Sequence, residues 1–275
     1  MTLCLCFLTP ARKRMASSSV IERPFCSEKQ ESTPPKREPV VRFIGIPIAK
    51  AELPIAHTNT TIFFDWDDTC LTTSWLENMG FKAHCLSGPL EKRFAELGDK
   101  LYSIVYPLLF QALSFGRVVI VTNGAEGWIQ QSCAIFMPQL LPLISSSSIT
   151  LISAKARYSH MYTSPMVWKR LTFRDTLDAD NRKVGSVRNL ISIGDGIAEY
   201  YALHSLKTYP CVITDNPSNI LKSIKLVNQP TPSTLSSQLS LLQEVLSTIV
   251  HHPNSIDINA YIQYTTPPDS RVEGI

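Results

Sequence analysis

TTIFFDWDDTCLTTSWL, Thr60 to Leu76, places Asp65, Asp67 and Asp68 directly behind a run of β-branched and aromatic residues. Thr61 to Asp65 reads as a strand, because such side chains fit a pleated, packed surface. A near-continuous apolar run, rather than an alternating one, is the pattern of a strand covered on both faces of a mainly parallel sheet. Several carboxylates at the end of such a strand repel one another, and burying them is costly unless a proton or a cation intervenes.

The pattern repeats beyond this stretch. Further strands are expected at Arg117 to Thr122, Ile149 to Ser153 and Leu190 to Ile193, with a weaker one at Ser223 to Val227. Helical periodicity separates them. Leu90, Phe94, Leu97, Leu101, Ile104, Val105, Leu108, Leu109 and Ala112 recur at spacings of three and four and form one apolar stripe. Pro89 suits the first turn of that helix, whereas Pro107 should kink or split it. AEGWIQQSCAIFMPQL, GIAEYYALHSL and SSQLSLLQEVLSTIVHH supply further helices. Strands alternating with helices predict an α/β fold, a doubly wound, mainly parallel sheet flanked by helices.

The remaining composition narrows the possibilities. At 275 residues and 44% hydrophobic, the chain is long enough for one large core. Seven prolines from Pro10 to Pro54 predict a flexible leader over residues 1–55, ahead of a domain at 56–252 and a tail at 253–275. A net charge of +3 gives no argument for a nucleic-acid or membrane surface, and no stretch approaches the roughly 18 apolar residues of a bilayer span. Seven scattered cysteines without a CxxC pair read as reduced thiols. A cytoplasmic protein is expected, with the nucleus as the alternative.

In a doubly wound sheet, ligands bind where loops leave the carboxyl ends of the strands. Here those ends are FFDWDDT, VIVTNG and ISIGDGIAE, which brings Asp65, Asp67, Thr122 and Asp195 toward one pocket. A divalent cation with oxygen ligands is the economical way to hold such carboxylates, and one or two of them plus a substrate phosphate is the usual magnesium arrangement.

DWDDT fits a DxDxT signature, and VIVTN, a lysine and GDGIAE follow in order. These four stretches resemble the haloacid dehalogenase (HAD) superfamily over about residues 58 to 228, and within it a branch found in single-celled eukaryotes. The resemblance implies a HAD-like, Rossmannoid domain that hydrolyses phosphomonoesters with Mg2+. Asp65 would be the nucleophile, forming an aspartyl-phosphate, and Asp67 the acid and base. Thr122 would bond a phosphoryl oxygen, with Thr69, Asn123 and Gly124 bordering the substrate. Asp65, Asp195, Glu199 and the backbone of Asp67 would hold the metal, although the family more often has Asp than Glu at the position of Glu199. Lys169 matches the place of the phosphate-neutralising lysine better than Lys155. The signature assigns no chemistry to Asp68, which is expected to support the loop.

The resemblance allows two insertions that cap the site in relatives acting on small metabolites. Here one is a helical stretch at about 77–115 and the other only Ala154 to Trp168, neither long enough for a full cap. A small or missing cap points to a bulky phosphorylated substrate, a protein or a nucleic acid, or else to closure by another subunit. A catalytically silent binding module and a phosphotransferase to an acceptor other than water are the alternatives.

Overall fold

The computed structural model describes residues 39–47, 60–81, 91–178, 188–207 and 219–264, all within one compact unit, Arg37–Ile275. Pro89, Leu90 and the cysteines other than Cys70 and Cys133 lie outside the described residues.

Among the described residues seven strands form one sheet: β1 (Pro39–Ile44), β2 (Thr60–Phe64), β3 (Arg117–Thr122), β4 (Ile149–Ser153), β5 (Asn189–Gly194), β6 (Ile220–Lys225) and β7 (Ile256–Tyr264). Their order across the sheet is β1-β7-β6-β5-β2-β3-β4, and every pair is parallel except β1 with β7. The α/β class and the mainly parallel sheet are therefore as the sequence predicts.

Eight helices accompany the strands among the described residues: α1 (Thr73–Asn78), α2 (Lys92–Phe115), α3 (Trp128–Phe136), α4 (Leu141–Ile144), α5 (Ala154–Tyr158), α6 (Pro165–Asp178), α7 (Ile197–His204) and α8 (Pro232–His251). Alternation along each strand divides the core between the two faces of the sheet. Ile62, Phe64, Val118, Ile120, Ile191 and Ile193 pack with α2, α3 and α8. Phe63, Val119, Val121 and Leu190 pack with α6 and α7, and Phe63 stacks on Phe173 at a ring separation of 4.0 Å.

Several expectations change. The sheet extends into both the expected leader and the expected tail, because Pro39–Ile44 pairs with Ile256–Tyr264 in antiparallel register and Ile258 is buried. Pro107 does not split α2. Its apolar stripe is buried on both sides of the proline, and holding both halves on the sheet outweighs the roughly 3 kcal/mol an internal proline costs. Strand β6 lies three residues ahead of the expected start, at Ile220 rather than Ser223, because Lys222 interrupts the apolar run that would have marked it.

Lys222 is fully buried, and its Nζ donates to the Val250 carbonyl at 2.6 Å, near the end of α8 where carbonyls lack helical partners. Asn189 Nδ2 reaches the same oxygen at 3.1 Å. Burial pushes the Lys222 ammonium down to about 7. A folded value below the ordinary one means that the cost of burying the charge is complete below about pH 7 and fades as pH rises toward about 10. Lys222→Met, which leaves Val250 its bond from Asn189, is expected to raise Tm by roughly 3–6 °C at pH 6 and by less at pH 9. A lower Tm at pH 6 would mean that the ammonium's bond outweighs its desolvation.

Candidate functional site

The strand order sets the site. From β2 the chain steps outward to β3 and β4, then returns to place β5 on the other side of β2. That reversal opens a crevice beyond the carboxyl ends of β2 and β5. Asp65 follows β2 and Asp195 follows β5, so the two carboxylates come from adjacent strands at the reversal. The Asp65 amide continues the ladder by donating to the Ile193 carbonyl at 2.9 Å.

A tight turn follows Asp65. The amides of Thr69, Cys70 and Leu71 all approach the Trp66 carbonyl, and the Asp68 amide donates to Leu71 at 2.7 Å. Asp68 takes φ +54°, a left-handed conformation that Asp tolerates better than most residues. Its carboxylate accepts from the Ser74 amide at 2.9 Å and from the Ser74 hydroxyl, so it caps the first turn of α1. Asp68 thus supports the loop, as expected.

Lys169 lies in α6 and is only 2% exposed. Its Nζ is 2.7 Å from Asp65 Oδ1 and bonds Glu199 Oε1, which bridges the two carboxylates. Burial alone would lower the ammonium, but Asp65 and Glu199 together raise it above its ordinary value. Burial pushes the Glu199 carboxyl up, and the Lys169 charge and hydrogen bond pull it below its ordinary value. The Asp65 carboxyl is raised by burial, which Lys169 only partly offsets, with Glu199 and Asp67 adding to the rise. Lys155, by contrast, is exposed on α5.

Asp65 Oδ1 also accepts from the Trp66 amide at 2.8 Å, whereas no donor among the described residues reaches Oδ2. Asp195 is 8% exposed, and its carboxylate has no hydrogen-bond partner among the described residues. Burial pushes it up to about 6, with Glu199 and Asp68 adding to the rise. Glu199 Oε2 is likewise buried without a partner. Glu199 folds back over the GDG turn. A Cβ on Gly194 would stand 2.5 Å from Glu199 Cγ, and one on Gly196 2.6 Å from Oε2, so a side chain at either position would displace Glu199.

Asp67 is held by three donors. Thr122 Oγ1 donates to Oδ2 at 2.7 Å, while Thr73 Oγ1 and Trp128 Nε1 donate to Oδ1 at 2.8 and 2.7 Å. The Thr122 oxygen in turn accepts from the Gly124 amide at 2.8 Å. Thr69 is fully buried and its hydroxyl accepts from the Asp195 amide at 3.2 Å. Asn123 has a buried side-chain oxygen without a partner, and the Gly124 carbonyl accepts from Ser153.

Thr73 and Trp128, which the motifs do not mark, both reach Asp67. Two further tryptophans, Trp66 and Trp168, are buried and donate to Ser132 and to the Tyr162 carbonyl. Cys70 lies beside the site with its thiol 3.5 Å from the Asp65 carbonyl, and burial pushes that thiol up, so it is a poor nucleophile.

Among the described residues, no three His, Cys, Asp or Glu side chains converge tightly enough to hold a metal ion by themselves. Likewise, no described helix is long and apolar enough to cross a membrane. Compared with known proteins, the chain matches no family model, no curated protein and no solved structure.

Two buried carboxylates that share one ammonium make the strand ends sensitive to its removal. Lys169→Met is expected to cost about 3–5 kcal/mol at pH 7 in urea unfolding, with a smaller loss at pH 5, where the stranded carboxylates take up protons. A loss below about 1 kcal/mol at pH 7 would contradict the geometry.

Proposed function

We propose that the protein is a magnesium-dependent phosphohydrolase of the haloacid dehalogenase type, acting through an aspartyl-phosphate on Asp65. The observation that carries this reading is the placement of Lys169 against Asp65 Oδ1 beside the unpartnered carboxylate of Asp195. A lysine fixed on one carboxylate oxygen leaves the other to attack, and its charge is already in place for the phosphoryl oxygens.

In this reading Asp65 Oδ2 attacks phosphorus in line with the leaving oxygen. That oxygen departs with a proton from Asp67, and water then attacks the aspartyl-phosphate, returning a proton to Asp67. Thr122 turns its hydroxyl from Asp67 to a phosphoryl oxygen, while its own oxygen stays anchored by the Gly124 amide.

The donor set fits a hard divalent cation. Glu199 Oε2 is buried without a partner and the carboxylate of the largely buried Asp195 has none among the described residues, and a site with only one or two carboxylates is how magnesium is commonly held, with waters and substrate completing its shell. Asp65, Asp195 and the Asp67 carbonyl would hold it, with Glu199 behind them. It would supply charge neutralisation of the phosphoryl group.

The placement of the insertions supports a phosphate carried on a macromolecule. Helix α2 packs with α8 and α3 on the sheet, and α5 is one short helix, so among the described residues neither builds a domain over the strand ends.

An aryl phosphate assay tests the reading. The wild type is expected to turn over only with magnesium present, and Asp65→Asn to lose about a thousandfold or more in kcat. A wild type as inert as the variant would overturn it. A second measurement concerns the metal. Because the Asp195 carboxyl is raised to about 6 in the fold, the stability it contributes is complete below about pH 4 and is lost as pH rises through about 6. A cation takes over where the proton leaves. Magnesium is therefore expected to raise Tm more at pH 7.5 than at pH 5, and an equal shift at both would count against Asp195 as its ligand.

A further inference from the structure

We infer that Trp128, together with Thr73, is a positioning residue that fixes which oxygen of Asp67 carries the transferred proton; the inference rests on the phosphohydrolase reading. Both residues donate to Oδ1, whereas Oδ2 has a single partner, the rotatable hydroxyl of Thr122. Placing a proton on Oδ1 would set it against two donors, one of them an indole N–H that cannot reverse its role. The proton is thereby confined to Oδ2.

The indole is built into place. Gly127, with φ +77°, turns the chain into α3 so that Trp128 is its first residue. The ring then crosses directly over Gly124, where a Cβ would stand 2.5 Å from Trp128 Cδ1. Behind it, Ser132 Oγ donates to the Trp128 carbonyl at 2.7 Å and accepts from Trp66 Nε1 at 2.9 Å, which ties the start of α3 to the loop after β2. Gly124, Gly127 and Ser132 thus share one consequence, an N–H aimed at Asp67.

The proton path follows. When Thr122 turns to the phosphoryl group, Oδ2 is left facing the site with the proton. That proton passes to the leaving oxygen as its bond to phosphorus breaks and the Asp65–phosphorus bond forms. In the second half, Oδ2 takes a proton from the attacking water as the Asp65–phosphorus bond breaks. Without the Oδ1 donors the carboxyl rotates, and the proton is presented in the correct direction for only part of the time.

The test uses the dependence of kcat/KM on the leaving group, which a merely structural role would not move. A nitrophenolate leaves without a proton, whereas an alkoxide needs one. Trp128→Phe keeps an aromatic ring at the start of α3 and removes the N–H together with part of the indole, a packing loss that both substrates would feel alike. It is expected to lower kcat/KM for an alkyl phosphate by roughly 10- to 100-fold and for p-nitrophenyl phosphate by less than about threefold. Thr73→Val, which removes the other donor to Oδ1, should show the same split, so the inference does not depend on one variant folding. Equal losses on both substrates in both variants, or no loss in either, overturn it while leaving the phosphohydrolase reading intact. A wild type inert on both substrates removes that reading and this inference together.

Discussion

One ammonium group, Lys169 Nζ, stands between the buried carboxylates of Asp65 and Glu199, and the arrangement of the strand ends depends on it. Without that charge, the carboxyl groups of Asp65 and Asp195 would each repel that of Glu199 with little water to separate them. With it, Asp65 has one oxygen fixed and one open, and Glu199 is drawn back over the two glycines of the GDG turn. The same side chain sets both the shape of the crevice and its charge. The cluster nevertheless remains under-neutralised, because one lysine serves two carboxylates and leaves Asp195 without a partner among the described residues. That residual negative charge, beside a fixed positive one, is what a phosphate accompanied by a divalent cation would complement.

The scaffold holds these groups from four directions. Strands β2 and β5 present Asp65 and Asp195 side by side, α6 delivers Lys169 from one face, and the turn after β3 brings Thr122 and Trp128 onto Asp67. Lys169, Thr122 and Trp128 sit on regular elements, Asp65 and Asp195 directly follow strands, and precise placement of side chains requires such support. The loop after β2 is the most constrained piece. It bends through Asp68 in a left-handed conformation, and its other polar side chains bind the loops after β3 and β5.

The sequence was most legible where chemistry and periodicity coincide. The four central strands are apolar runs, and the aspartates and the threonine at their ends lie where such runs place them. Lys169 was separable from Lys155 only by its place ahead of β5; that it is buried depends on partners 30 and 104 positions away, which no local pattern reveals. Thr73 and Trp128 were not assigned to Asp67 for the same reason, since the Trp128 contact spans 61 residues. The outer strands were missed differently. In Pro39–Ile44 the proline outweighed a short mixed run, while Ile256–Tyr264 carries an alternation, Ile256, Ile258, Ala260 and Ile262, that does suit a strand packed on one face. Lys222 hid the start of β6 because a charged residue in a run argues against burial, and the Val250 carbonyl at the end of α8, which its ammonium bonds, explains why this one is tolerated.

The central claim is that Asp65 becomes covalently phosphorylated, and it is tested most directly by trapping that species. The protein is incubated with magnesium and an aryl phosphate, quenched in acid and mapped by tandem mass spectrometry. The account predicts a phosphoryl group on Asp65, absent from Asp65→Asn and enriched when Asp67 is replaced by Asn, which cannot activate the attacking water. Turnover by the wild type with no phosphoryl group on Asp65 in either background, or with one on another residue, would contradict it.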